Sequence, residues 1–217
     1  MQINAFDEPN VKESKDNTER LLQQLTAGGK AAVEKPALRE AGVSLFGELT
    51  SSITTRGPSP SKQANRVRDC FIAHLRQAKP GDYIAILAYV APTPATDKAF
   101  QQLRVCLRDA LGVATSLGYG PRYLHSTGQF HKGGPAHGIF LEITTKDSLH
   151  LPIPSLPYSF GLLKQAQARG DQEALTSRHR RFLRLHLESG AETGLGQLVR
   201  WAERAFPPRS VKPRHGR

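Results

Sequence analysis

The chain has 217 residues, of which 38% are hydrophobic and 23% charged, and its formal net charge is +11. This apolar fraction is too high for a disordered chain and sufficient for a globular core with polar ends. No apolar run approaches the roughly 18 residues that a membrane helix needs. Residues 1–7 lack the basic start and apolar segment of a signal peptide. We therefore expect a cytoplasmic protein whose two cysteines, Cys70 and Cys106, are buried free thiols.

Positive charge is concentrated near the carboxyl terminus. From Thr176 onwards there are ten Lys or Arg and three Asp or Glu residues, and residues 207–217 contain four basic residues and no acid. We interpret 207–217 as a basic disordered tail. It is either simply solvated, or it contacts nucleic acid or steers anionic substrates electrostatically. No aromatic residue is interleaved with the charges of residues 207–217, so base stacking is not indicated and nucleic acid is not the favoured partner.

The first 41 residues are predicted to form an N-terminal arm and a helix. Asn10 is a suitable N-cap for a helix from Val11 to about Leu25, and Gly28 and Gly29 follow its end. Lys15 lies on the apolar face of this helix. Two interpretations stay open for Lys15: its aliphatic stem packs at the edge of the core, or its ammonium group faces an anionic ligand.

Residues 42–206 are predicted to form one α/β domain. Helical periodicity indicates helices from 61 to about 78, from 96 to 110, from 158 until a break at Gly170-Asp171, and from 191 to 206. Strands are predicted at residues 42–49, 83–90, 113–119, 138–144 and 180–187. This alternation predicts a three-layer sandwich around a mainly parallel five-stranded sheet. Basic and apolar residues alternate in the last strand, so we expect it at an edge.

The segment 124–134 joins two predicted strands and has the richest side-chain chemistry in the chain. His125 stands there beside donor residues and three glycines, at a predicted helix start, where backbone N–H groups favour anions. His125 is either a simply hydrogen-bonded residue or part of a site for a polar anion. In the second case, the donors that accompany it are Arg122, Ser126, Thr127, Gln129 and Lys132.

Other sites are less well supported by the sequence. His125, His131 and His137 recur every six residues, which is not the spacing of common zinc ligands, so no metal is predicted. The Ser- and Thr-rich residues 51–60 are either a linker or a phosphate loop. No P-loop or dinucleotide fingerprint is present.

Three segments resemble a known family. Residues 124–129 (Leu-His-Ser-Thr-Gly-Gln) resemble the histidine segment of bacterial phosphoglucose isomerases, and residues 157–161 resemble their short aromatic–glycine motif. Residues 3–15 are similar to the family's lysine-bearing signature. The order of these segments is that of the isomerase portion of bifunctional transaldolase/phosphoglucose isomerases. The resemblance extends from Ile3 to about Leu187 and implies a sugar-isomerase-like fold.

The resemblance implies an aldose–ketose isomerase that interconverts glucose 6-phosphate and fructose 6-phosphate by acid–base catalysis. By this resemblance, His125 would open the sugar ring. Lys15 would assist ring opening and interact with the charge of the substrate. Glu8 stands where the signature has glutamine and would contact the substrate. No metal or organic cofactor is implied.

The family's general-base glutamate belongs to an upstream sugar-isomerase domain that this sequence does not include. We therefore expect activity to need the upstream isomerase or transaldolase polypeptide. A second copy of the chain, in a homo-oligomer, is the other partner that we consider. Two alternatives stay open: a non-catalytic sugar-phosphate-binding or regulatory module, and a basic interaction protein that acts through its tail.

Overall fold

A six-stranded mixed sheet forms the centre of the structure. The computed structural model describes residues 9–27, 34–47, 66–147 and 149–207. Within this part of the chain, the strands are β1 (Leu38–Glu40), β2 (Val43–Phe46), β3 (Tyr83–Tyr89), β4 (Ala114–Tyr119), β5 (Gly138–Thr145) and β6 (Arg181–Leu187). Their order across the sheet is β1-β2-β6-β5-β3-β4.

Four neighbouring strands, β4, β3, β5 and β6, are parallel, whereas β2 runs antiparallel to β6 and β1 antiparallel to β2. β3 is apolar and buried over nearly its whole length, as a central strand with both faces covered should be. The register places Glu142 of β5 between Leu87 of β3 and Arg184 of β6. A carboxylic acid and a guanidinium-bearing side chain therefore occupy neighbouring positions on one face of the sheet.

Helices cover both faces of the sheet. They are α1 (Pro9–Ala27), α2 (Val67–Leu75), α3 (Pro94–Leu111), α4 (Gly128–Gly133), α5 (Phe160–Thr176) and α6 (Ala191–Ala205), with a 3-10 turn at Arg122–His125. Side chains of α2, α3 and α6 pack on one face. The 3-10 turn and α5 pack on the other face, and α1 lies outside α5. None of the described helices combines the length and apolar character needed to span a bilayer.

The two faces of the sheet differ in polarity. The face under α2, α3 and α6 is an apolar core built around Ile84, Ile86 and Leu141. The face under α5 contains apolar side chains and also the buried ionisable residues Glu142 and Arg184. Burying ionisable groups is costly unless they are paired or neutral, so this second face is where functional chemistry is to be sought.

The prediction of an α/β fold with a mainly parallel sheet and helices on both faces is confirmed, but the sheet has six strands instead of five. The additional strand, β1, comes from residues 38–40, which the sequence pattern assigns to the N-terminal arm. Its pairing with β2 is a local hairpin of three residue pairs. Such a short strand gives no periodic pattern from which it could be recognised.

The expectation that the last strand lies at an edge is wrong, because β6 is bordered by β5 and β2. Two of its basic side chains are neutralised instead of solvated. Arg181 bonds Asp82 at 2.7 Å, and Arg184, only 7% exposed, forms an ion pair with Glu34. Alternating basic residues in a strand therefore indicate an edge strand only when no acidic side chain from another part of the fold forms an ion pair with them.

The predicted helix break at Gly170-Asp171 is also wrong, because α5 continues through both residues to Thr176. Gly170 is needed for the close approach of α1, and Asp171 is buried and paired. The histidine-bearing segment differs from expectation too. His125, predicted at a helix start, instead ends a 3-10 turn, and the six-residue helix α4 begins three residues later at Gly128.

Three sequence predictions fall outside the described residues. They are the arm that includes Glu8, the Ser- and Thr-rich residues 51–60, and residues 208–217 of the basic tail.

Candidate functional site

Lys15 and His125 line the same cavity, although they lie far apart in the sequence. The cavity, which we call the Lys15–His125 groove, measures about 320 Å³. Helix α1 forms one wall, the 3-10 turn forms another, and Tyr158 and Gln167 complete it. The Lys15 and His125 side chains are both exposed. Tertiary packing of α1 therefore brings together the two residues singled out in the sequence as candidate catalytic groups.

The packing of α1 on α5 creates this groove. Val11, Leu21 and Leu22 are buried on the inner face of α1, and Ala166 is their buried neighbour on α5. Ion pairs from Arg20 to Glu173 and from Glu13 to Arg178 border the apolar contact, and such partly exposed pairs add little stability. Burial of the apolar face therefore holds Lys15 in position.

Gly170 controls how closely the two helices approach. A β-carbon there would lie 2.7 Å from Thr18 Oγ1 and 3.0 Å from the Ser14 carbonyl oxygen. Gly170→Ala is therefore expected to force α1 away and lower the free energy of unfolding by about 1–3 kcal/mol, the usual cost of overpacking. Urea unfolding monitored by circular dichroism measures the change.

The matched control is Gly196→Ala on α6, where a β-carbon would meet only the flexible Arg200 side chain at 3.4 Å. Alanine is the better helix former by up to about 1 kcal/mol, so this variant should be slightly more stable. Equal stabilisation by both substitutions would contradict the role assigned to Gly170.

Several chemical groups surround the groove. Ser14 is only 2% exposed, and its hydroxyl has no hydrogen-bond partner in the described part of the chain. Glu19, one helical turn beyond Lys15, is exposed and is the carboxylate among the described lining residues. The cation, the imidazole and the hydroxyl suit a polar ligand that carries negative charge, and the carboxylate can accept hydrogen bonds from neutral donors of such a ligand.

The remaining predicted donors do not all lie at the groove. Arg122, Ser126 and Thr127 are exposed on or after the 3-10 turn, and the Ser126 hydroxyl donates to the Tyr123 carbonyl oxygen at 3.1 Å. Gln129 is half-buried in α4. These residues surround the histidine in sequence, but the cavity beside it is formed by α1, α5 and the turn. The structure therefore does not place all the predicted donors around one anion site at a helix start.

Lys132 faces the interior of the protein. Its side chain is 1% exposed and forms an ion pair with Asp171 of α5, which is fully buried. The Tyr123 hydroxyl donates a hydrogen bond to the same carboxylate. The charge of Lys132, predicted as a donor to an anionic ligand, is therefore balanced inside the protein. The sequence pattern does not reveal Asp171 as its partner, because the two residues lie on different helices and a helix break is predicted at Gly170-Asp171.

Glu142 lies at the centre of this interior. It is fully buried, and neither of its carboxyl oxygens has a hydrogen-bond partner among the described residues. Burial raises its pKa well above the usual range, and nearby Asp171 and Glu34 act in the same direction, whereas Arg184 and Lys132 lower it. The environment therefore favours the neutral acid.

A second cavity, of about 250 Å³, lies between α5 and the sheet; we call it the strand-end cavity. Tyr89 at the end of β3 and Thr144 and Thr145 at the end of β5 line it. Arg184 and His186 of β6 contribute from the next strand. This cavity was not predicted from the sequence, because its walls come from separate elements that meet only when the sheet forms. The one indication in the sequence is general: open α/β sheets bind ligands at the carboxyl ends of their parallel strands.

The three evenly spaced histidines do not come together. His125 is at the groove. His131 is buried, with Nδ1 3.0 Å from the Tyr83 hydroxyl, and burial lowers its pKa to about 4. His137 is exposed, 3.5 Å from the Asp82 carboxylate. Within the described ranges, no group of three or more His, Cys, Asp or Glu side chains is placed to hold a metal ion. Cys70 is buried, as predicted, whereas Cys106, also expected to be buried, is half-buried, and neither forms a disulfide in the described part of the chain.

Comparison of this chain with known proteins supports its fold and gives no information on its function. No protein-family model and no curated protein sequence matches the chain. Among solved structures, the chain is similar to the hypothetical protein TT0462 from Thermus thermophilus, with a TM-score of 0.55 and 15% sequence identity. The similarity covers 65% of this chain and 39% of that protein, so the chain spans well under half of its length.

Proposed function

We propose that the chain carries the histidine and lysine of a sugar-phosphate isomerase site that interconverts glucose 6-phosphate and fructose 6-phosphate. The observation that supports this most directly is that Lys15 and His125 line one cavity. Each belongs to a segment that resembles phosphoglucose isomerases, and packing of α1 brings the two segments together. The α/β sheet covered by helices on both faces is compatible with a sugar-isomerase domain.

In this proposal, His125 donates a proton to the ring oxygen of the sugar as the bond between that oxygen and C1 breaks. The C1 hydroxyl loses its proton to solvent and becomes the aldehyde carbonyl. Lys15 contributes a positive charge that favours the anionic substrate and the developing oxyanion. Both groups are exposed, so a bound sugar can reach them without displacing the core. No cofactor or metal is needed for this chemistry.

The proton transfer between C1 and C2 needs a base in addition to His125. Among the described residues that line the groove, Glu19 is the one carboxylate, and it lies on the same helix as Lys15. We propose that the base comes from another polypeptide, either the upstream isomerase or transaldolase portion or a second copy of the chain. The exposed groove supports this, because a partner surface can close over it. We place the protein in the cytoplasm, where the thiols of Cys70 and Cys106 would remain reduced.

Ring opening tests the proposal without the missing base. The chain alone is expected to accelerate exchange between the α and β anomers of glucose 6-phosphate, measured by NMR exchange spectroscopy. His125→Ala should slow the catalysed exchange by about a hundredfold or more, the usual contribution of a general acid–base group. Full isomerisation should appear only when the polypeptide that supplies the glutamate is added.

The control is His150→Ala, which removes an exposed histidine between β5 and α5 and should leave the exchange rate unchanged. Wild-type exchange in the His125→Ala variant would overturn the assignment of His125.

A second candidate is a sugar-phosphate-binding module without catalysis. It is favoured by the small number of carboxylates at the groove, where Glu19 is the one among the described lining residues. Binding of glucose 6-phosphate with no acceleration of anomer exchange, detected by calorimetry and NMR on the same sample, would select this alternative.

A further inference from the structure

The strand-end cavity is at the position where open α/β sheets usually bind ligands. From β3 the chain passes to β4 on one side, and then to β5 on the other side of β3. The carboxyl ends of β3 and β5 therefore border a topological switch point. Tyr89 and Thr144, from the ends of these two strands, both line the cavity.

Positive charge predominates in the cavity wall. Three basic side chains line it, namely Arg184, Arg169 and Lys164, together with one carboxylate, that of Glu34. Lys164 also forms an ion pair with Asp147, which is not among the lining residues. Glu34 is the ion-pair partner of Arg184. Arg169, half-buried on α5, has no carboxylate partner among the described residues. No carboxylate in the described part of the chain therefore competes with a ligand for the charge of Arg169.

The remaining wall provides hydrogen-bonding groups and apolar surface. His186 Nδ1 lies 2.9 Å from the Thr144 hydroxyl, and burial lowers the pKa of His186. The neutral imidazole and the hydroxyl can both donate and accept hydrogen bonds. The Phe46 ring packs against both Arg184 and His186 and holds the guanidinium group in place. Phe46, Leu162 and two alanines add apolar surface beside these polar groups, and this combination is typical of small-molecule sites.

We propose that the strand-end cavity is a binding site for a small organic phosphate monoester, separate from the Lys15–His125 groove. Guanidinium groups match the geometry of phosphate oxygens, and a volume of about 250 Å³ suits a compact molecule. The two cavities share no lining residue, and α5 contributes Ala168 and Arg169 to this cavity but Gln167 to the groove.

Isothermal titration of the full chain with glycerol 3-phosphate, inorganic phosphate and uncharged glycerol tests the proposal. We expect glycerol 3-phosphate and phosphate to bind and glycerol not to bind. Arg169→Gln should weaken glycerol 3-phosphate binding about tenfold, as expected when one charge-assisted contact is lost. Lys164→Gln, which changes a second cavity residue, should weaken it as well.

Two control variants distinguish binding in this cavity from binding elsewhere on the basic surface or in the groove. Arg204→Gln removes an exposed charge from α6 on the other face of the sheet, and His125→Ala alters the groove. Both should bind glycerol 3-phosphate as the wild type does. The proposal is overturned if the wild type does not bind, if Arg169→Gln binds equally well, or if Arg204→Gln is weakened to the same extent. Loss of binding in His125→Ala alone would place the phosphate in the groove instead.

Discussion

Replacing Asp171 with alanine is expected to lower the free energy of unfolding by about 3–5 kcal/mol, the cost of leaving one partner of a buried ion pair alone. The Lys132 and Asp171 side chains are 1% and 0% exposed, so water cannot replace the lost carboxylate. The Tyr123 hydroxyl loses its acceptor at the same time. Equilibrium urea unfolding, followed by tryptophan fluorescence, measures the loss.

A double-mutant cycle distinguishes an uncompensated charge from a general packing defect. Lys132→Met and Asp171→Leu should each be strongly destabilising, whereas the double variant should regain most of the loss because no charge remains buried. Asp109→Ala, which breaks the exposed pair of Arg108 and Asp109, is the surface control and should leave the unfolding midpoint unchanged. A double variant as unstable as the sum of the single variants would contradict the electrostatic explanation.

The sequence predicted the elements that carry strong local patterns. The apolar run of β3, the stripe of α3 and the closing helix α6 were all identified, because each buries side chains at the period of its own secondary structure. The elements that were missed depend on partners distant in the chain. β1 exists through its pairing with β2, and α5 continues past Gly170 because α1 packs against that glycine.

The candidate sites also divide into those that a local sequence segment indicates and those that depend on residues distant in the chain. Lys15 and His125 were singled out from their segments, and tertiary packing places both at one groove. The strand-end cavity and the interior around Glu142 could not be predicted. Their charges come from β5, β6, α4 and α5, and each residue alone resembles an ordinary surface or capping residue. The role of a charged residue in a strand or helix can be assigned only when the structure shows which opposite charge lies beside it.

Replacing Glu142 with glutamine is expected to stabilise the protein at neutral and alkaline pH and to have little effect in acid. Burial raises the pKa of Glu142 well above its unfolded value of 4.5. Below pH 4.5 the acid is protonated in both states, and its burial carries no charge penalty. As the pH rises, the unfolded state ionises first, so the wild type loses stability progressively up to the folded pKa. Glutamine has the same shape and cannot ionise.

The difference between Glu142→Gln and the wild type should therefore be near zero at about pH 4 and grow with pH. At about pH 8 it should reach at least about 1.4 kcal/mol, the free energy of one pKa unit. Urea unfolding at several pH values measures it. Glu192→Gln, on the exposed first turn of α6, should follow the wild-type curve throughout. A Glu142→Gln variant less stable than the wild type in this alkaline range would show that the carboxylate is ionised and held by Arg184 and Lys132.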